Sequence, residues 1–450
     1  MTRTNYKLRH YLCFFLLMII AASCGGKQTL RGVFQRQSPY DRYVASLKEA
    51  KLDETALGQD WLNAGQKALH DSISVTLPFK ETGYFAADRP RALGYKLDAK
   101  EGERLVVNLE LHAKEPVRVF MDLFEAPADA TASPKRVAYA DTAAQQLQYE
   151  VDETTQHILR LQPELLRSGQ YTVTIQVQPT LAFPIPNKTS RHIASIWGDP
   201  RDGGARRHEG VDIFAPRGTP VVAATAGVVT RVSTTPRGGN VIWLSDLSRR
   251  QSLYYAHLDS QLVAPGQRVA AGDTLGLVGN TGNAITTAPH LHFGIYRFGQ
   301  GATNPFPYLH QPKESPAPVT IDAAQVGNWV RVSARQANIR LQPSGNSKVA
   351  ATLPRHTPLQ VTGGSGSWYR VQLPDSSEAY IASSVVEAAT EPVKSRKLEK
   401  TSELLAEAHA TAAAKEKLTA GTDVTVLGTF NQFDFVKTAT GETGWIHAFR

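Results

Sequence analysis

Two short stretches decide how this chain is read: Arg207-His208-Glu209-Gly210-Val211-Asp212-Ile213 and Pro289-His290-Leu291-His292-Phe293-Gly294-Ile295. In the first, Gly210 and the β-branched neighbours argue against a helix, and strand-like sequence continues from Val221 to Val232. An even separation in an extended segment puts side chains on one face, so His208 and Asp212 point the same way. The second stretch alternates His290, His292 and Gly294 with Leu291, Phe293 and Ile295, the pattern of a strand with one buried apolar side. Both imidazoles then face one cleft. A catalytic zinc ion takes three N or O ligands and keeps one position open. His208, Asp212 and either His290 or His292 meet that count, which leaves one histidine for proton transfer. Between the two stretches lie Tyr255-Ala256-His257-Leu258 and a turn-rich run through Gly266, Gly272-Asp273, Gly276 and Gly279-Asn280-Thr281-Gly282. Hairpins closing a compact antiparallel core need such turns.

In this order the set resembles the lysostaphin and LytM-type zinc endopeptidases, peptidase family M23, and the likeness runs over residues 197–308. The resemblance implies a central antiparallel β metallopeptidase domain of the duplicated hybrid motif kind over 187–310. It implies one Zn2+ held by His208, Asp212 and His292, with His257 and His290 flanking the water and the scissile carbonyl. The implied reaction is hydrolysis of peptide bonds in bacterial peptidoglycan, at glycine cross-bridges or at the D-Ala to diaminopimelate link. Some relatives have lost metal ligands and act as regulators that bind and activate wall amidases, but every signature position is filled here. The loop Trp197-Gly198-Asp199-Pro200-Arg201-Asp202 departs from the Phe-Gly before Arg of many members, which bears on substrate shape. Glu209 invites comparison with the base of His-Glu-x-x-His zincins. The second helical histidine is missing, however, and strand parity turns Glu209 away from His208, so it reads as a surface residue. His70, His157, His192 and His310 have no partner at ligand spacing and read as structural or exposed.

Outward from this centre, the 450 residues are too many for one ordinary domain, at ~150 residues each. Cys13 and Cys24 are the only cysteines, so disulfides within the folded domains are excluded. Basic Arg3, Lys7 and Arg9 precede an apolar run over 11–22 and small residues before Cys24, the anatomy of a signal peptide over 1–23. The run is too short to span a membrane as a mature helix. Ala21-Ala22-Ser23-Cys24 resembles the lipobox of bacterial lipoproteins, which implies acylation of Cys24 and membrane attachment through that lipid. Gly25 after the cysteine points to the outer membrane, facing the periplasm of a Gram-negative cell, and this location favours the D-Ala to diaminopimelate bond. The three basic residues of that segment contribute to a formal charge of +8. No Lys/Arg block accompanies it, so nucleic acid is not an expected partner. The sequence names no protein partner.

The fold expected is mainly β and multidomain. Residues 24–74 read as a lipid-anchored tether with a short helix. From about Val75 the period becomes two, as in Leu105, Val107, Leu109 and Leu111 or Tyr171, Val173, Ile175 and Val177, which predicts an N-terminal β-sandwich over 75–182. Its spacing is similar to that of the small β-sandwiches found beside bacterial secreted proteases. Prolines between Pro179 and Pro186 predict a stiff link, and Pro312, Pro316 and Pro318 mark a second boundary. Beyond it, Leu353, Thr357, Val361, Gly363, Val371, Tyr380 and Ile381 recur in one register as Leu418, Thr422, Val426, Gly428, Val436, Trp445 and Ile446. Two small modules of one kind follow, over 325–388 and 400–450. Asn338-Ile339-Arg340 and Trp368-Tyr369-Arg370-Val371 resemble bacterial SH3-like domains, which implies two C-terminal small β barrels. Their aromatic residues serve either a barrel core or a peptide-binding platform.

Overall fold

A computed structural model describes residues 37–129, 131–312 and 315–448. The signal peptide and Cys24 lie outside the described residues. The chain divides into two compact units, one ending at Ser46 and one beginning at Leu47. In the first, the Ser38 hydroxyl accepts from the Asp41 amide at 3.1 Å and caps the start of the helix Pro39–Glu49. Everything below concerns the second unit. Its architecture is mainly β with several sheets, as the alternating sequence requires.

The helix Ala56–His70 is capped by Thr55 and buries Trp61, whose indole donates to the Pro163 carbonyl at 2.8 Å while Gln162 donates back to the Trp61 carbonyl. This helix lies in the segment read as a tether with a short helix, and it packs on the neighbouring strands. Next to it, the strands Ile73–Ser74, Leu93–Ala99, Thr155–Pro163, Val119–Glu125 and Lys135–Tyr139 form one sheet. Phe79–Phe85, Gly169–Pro179, Glu103–His112 and Gln146–Glu150 form the facing one. Leu105, Val107, Leu109, Tyr171, Val173 and Ile175 fill the space between, the inward half of each alternating run.

Residues 193–303 build the second core. Its sheet runs Ile193–Ser195, Val211–Phe214, His290–Arg297, Gln251–Gln261, Gly239–Asp246, Gly227–Thr235 and Arg268–Val269, with every pairing antiparallel. Leu291, Phe293 and Ile295 are fully buried beneath it together with Val211, Ile213, Leu253 and Tyr255. The proline-punctuated 179–186 segment is no free spacer. Leu181 and Ile185 enter this core, and the Val222 amide donates to the Pro184 carbonyl, because apolar side chains between the prolines gain more by burial than by exposure.

The C-terminal repeat appears in the structure as two barrels with matching defects. Val361 pairs with Val371 and Val426 with Val436, and in each copy the register slips just before the glycine, Gly363 or Gly428. A Cβ on Gly363 would sit 2.7 Å from the Thr82 carbonyl oxygen, and one on Gly428 would sit 2.6 Å from that of His356. The bulged strand of the first barrel therefore lies directly against the sandwich strand Phe79–Phe85, with Thr82 opposite Gly364 and Gly83 opposite Gly363. The second barrel uses the same bulge to dock on the first, where Thr429 donates to His356. Trp445 and Phe435 are buried and pack with Trp329, so the core reading of these aromatics holds for this pair.

A buried charge cluster fixes the first barrel to the sandwich. Glu81 is wholly buried and accepts from the Tyr95 and Tyr380 hydroxyls, each at 2.6 Å, and from Arg370 at 3.0 Å. Arg370 also grips Glu378, which is paired with Arg91 as well. Burial works to raise the Glu378 carboxyl, but the two guanidinium groups outweigh it and bring it down to about 2. Because the folded value lies below the unfolded one, near 4.5, the stability this group contributes is present above pH 4.5 and drains as pH falls toward 2. Urea titrations at several pH values should show Glu378→Gln less stable than the parent at pH 7, with a shallower loss between pH 4.5 and 2.5. Parallel curves would remove the charge cluster from the acid response. Arg370→Ala, which strands the Glu81 carboxylate, should cost roughly 3–5 kcal/mol in the same assay.

Candidate active site

The antiparallel pairing of Val211–Phe214 with His290–Arg297 sets Asp212 opposite His292 and Phe214 opposite His290. His208 enters from the turn just before. Its Nε2 lies 3.0 Å from His292 Nδ1 and 3.1 Å from Asp212 Oδ1, and His292 Nδ1 lies 3.0 Å from the same carboxylate oxygen. Two imidazole nitrogens and one carboxylate oxygen thus converge on a single point. Of the two histidines left open by spacing, His292 is the one in this cluster, while His290 Nε2 stands 4.0 Å from Asp212. Ligand atoms ~2.0–2.1 Å from a tetrahedral ion lie a little over 3 Å from one another, so the donor set fits one zinc-sized cation in both chemistry and spacing.

Backbone carbonyls fix the tautomers around this point. His208 Nδ1 donates to the Ile196 carbonyl, His257 Nδ1 to that of Thr281 and His290 Nδ1 to that of Ala288, each at 2.9 Å. Each ring therefore keeps a bare Nε2, able to bind a cation or take a proton. His257 and His290 stand with ring centroids 5.0 Å apart, and His257 is 5.9 Å from His292. Burial, with lesser effects from His292 and His290, lowers the His257 imidazole to about 4. Burial likewise lowers His292, and it opposes ionisation of Asp212, but the His208 and His292 rings set against it hold that carboxyl far below its ordinary value. His257 also has φ of +62° where the Gln251–Gln261 strand slips register, and its amide donates to Gly238. That left-handed backbone costs about 1 kcal/mol or more in a side chain other than glycine, and it turns the imidazole into the cleft.

One participant escaped the sequence. Arg201, in the Trp197–Asp202 loop, donates through Nη2 to Asp212 Oδ2 and to Ser195 Oγ, both at 2.7 Å. It occupies the carboxylate oxygen that the imidazoles leave. No periodicity marks such a residue, since the strand Pro200–Arg201 that brings it there, paired with Arg206–Arg207, is only two residues long. Glu209 is exposed and bonded to Tyr296, away from the cluster. His70 is exposed, His157 is buried beside Tyr149, His192 accepts from the Thr189 amide and His310 stacks on Phe306.

Two segments of the chain match known families. Residues 206–305 match Peptidase family M23, and residues 335–387, within the first barrel, match the bacterial SH3 domain. An L-Ala--D-Glu endopeptidase of Bacillus subtilis is 39% identical over 140 residues, which is 28% of this chain and 42% of that protein. The peptidoglycan DD-endopeptidase ShyC of Vibrio cholerae is 40% identical over 97 residues, 21% of each chain. The uncharacterized lipoprotein YgeR of Escherichia coli is 43% identical over 109 residues, 24% of this chain and 40% of that one. The chain thus spans less than half the length of each of these relatives.

Gly210 tests the geometry. A Cβ there would lie 2.6 Å from the His292 ring and from the Phe293 carbonyl oxygen. Gly210→Ala should cost roughly 1–3 kcal/mol in urea denaturation and reduce the bound metal found by elemental analysis of the purified chain. Unchanged metal content would show that His292 has room to move.

Proposed function

We propose that this chain is a zinc-dependent endopeptidase that hydrolyses peptide bonds in peptidoglycan. The carrying observation is the convergence of His208 Nε2, His292 Nδ1 and Asp212 Oδ1 beside two further imidazoles with bare nitrogens. In this reading His208, Asp212 and His292 hold one Zn2+, which when bound supplies Lewis-acid polarisation of a carbonyl and acidifies water. Arg201 holds the second oxygen of Asp212, so the carboxylate presents only the first. Nε2 of His257 or His290 takes the proton of the attacking water and passes it to the leaving amine, and the other ring would donate to the developing oxyanion when its own Nε2 carries a second proton taken up from solvent. A side-chain nucleophile is unnecessary, so no acyl-enzyme forms. The names of the relatives, endopeptidases of peptidoglycan among them, support the substrate class. An envelope location with a lipid on Cys24 agrees with a lipoprotein among those relatives, and the SH3-like barrels then present the protease to the wall. The complete donor set argues against a purely regulatory relative that only activates amidases.

Purified peptidoglycan digested with and without a chelator, with new termini identified by mass spectrometry, tests the reading. Zinc-loaded protein that leaves every peptide bond intact would refute it. His292→Ala and Asp212→Ala should lose bound metal and hydrolysis together. His257→Ala should keep one metal per chain while kcat falls by about 10^2 to 10^4, and full turnover in that variant would remove His257 from the reaction.

A further inference from the structure

On the sheet face that carries His292, and opposite the apolar core, stands an aromatic cluster that the chemistry above does not use. Trp243 in Gly239–Asp246 lies opposite Tyr254 in Gln251–Gln261, and Tyr254 lies opposite Gly294, two residues along from His292. Trp243 packs on Tyr254 with centroids 4.6 Å apart and on Tyr296 at 5.0 Å, and Tyr254 meets the His292 ring edge-on at 5.8 Å. All three aromatic residues are only half-buried. Gly294 leaves the floor between them bare, since a Cβ there would come within 3.3 Å of the Tyr296 ring. At the rim the Tyr296 hydroxyl bonds to the exposed carboxylate of Glu209.

We propose that Trp243, Tyr254 and Tyr296, with Glu209 at their edge, form a saccharide subsite that takes an N-acetylated sugar ring of the glycan to which the scissile peptide is attached. This rests on the hydrolase reading above. A cleft of aromatic rings tilted against one another, by 41° and 52° at Trp243 and 88° between the two tyrosines, with one carboxylate beside it, suits a ring that has an apolar C–H face and polar edges. In peptidoglycan the stem-peptide residues are small or charged, and the sugar rings are the units broad enough to cover three aromatic side chains. Position narrows the bond that is cut. One extended residue spans at most ~3.5 Å, so ring steps of 5.8 and 4.6 Å place Trp243 about three residues' reach from His292. A sugar held there brings one of the first bonds of the stem to the metal-ligand cluster, whereas a cross-link bond lies further along the peptide.

Two substrates decide the matter with the full zinc-loaded chain: a disaccharide-linked pentapeptide and the same pentapeptide without sugars. The parent protein should show a kcat/KM about tenfold higher for the glycosylated compound, carried by KM. Trp243→Ala should abolish that preference while leaving the free peptide within about twofold, and Trp243→Phe, which keeps a ring and the fold, should retain most of it. Equal kcat/KM for both compounds in the parent, or equal slowing of both in Trp243→Ala, would overturn the subsite and leave the hydrolase reading standing. If the parent cuts neither compound nor whole peptidoglycan, the hydrolase reading fails. The subsite is then decided by calorimetric titration of the metal-free chain, where about tenfold tighter binding of the glycosylated compound, lost in Trp243→Ala, supports it and equal affinities refute it.

Discussion

The site depends on strand register. Asp212 and His292 face each other because Val211–Phe214 pairs antiparallel with His290–Arg297 at one offset, and Ile213 meets Leu291 in the same ladder on the core side. Slipping either strand by one residue would exchange Asp212 for Ile213 or His292 for Phe293, placing charge in the core and apolar rings in the cleft. The penalty for that exchange falls on Val211, Ile213, Leu291, Phe293 and Ile295, all fully buried. The hydrophobic face therefore enforces the geometry of the polar one, and the donor cluster needs no loop to hold its two strand residues.

Around this frame the polar groups are arranged so that each has one task. Three imidazoles donate through Nδ1 to main-chain carbonyls and keep Nε2 bare, which settles their tautomers. Arg201 takes the Asp212 oxygen that faces away from the imidazoles. Crowding is relieved by Gly210 under His292, and strain is concentrated at His257, where a bulge turns the backbone left-handed. Strained backbone beside a cluster of ionisable groups marks a place where geometry has been favoured over stability.

Much of the fold was legible because side-chain alternation has a physical cause, the need to bury one face of each strand. The runs around Leu105, Tyr171 and Leu291 predicted their inward sets, and the repeat of Val361 as Val426 predicted two modules of one kind, although the bulge they share had no sign in the sequence. The convergence of His208, Asp212 and a clustered histidine followed from parity, while the preference for His292 over His290 needed family resemblance. What stayed hidden is long-range and aperiodic. Arg201 reaches Asp212 from a two-residue strand too short to show a period, and Glu81 meets Arg370 across a docking surface that neither sequence segment advertises. Prolines between 179 and 186 signalled stiffness but gave no sign that Leu181 and Ile185 would be swallowed by the neighbouring core.

The matched bulges at Gly363 and Gly428 also bear on how such a chain grows. Each barrel meets the element before it through the same kinked strand, set against a main-chain oxygen of Thr82 in one case and His356 in the other, while the side chains at the two contacts differ: the Glu81–Arg370 cluster at the first, Trp329 on Phe435 and Trp445 at the second. A head-to-tail contact of this type does not close on itself. Tandem duplication can therefore reuse the backbone part of the joint, the bulged strand against a carbonyl, while each added barrel has to acquire its own side-chain complement.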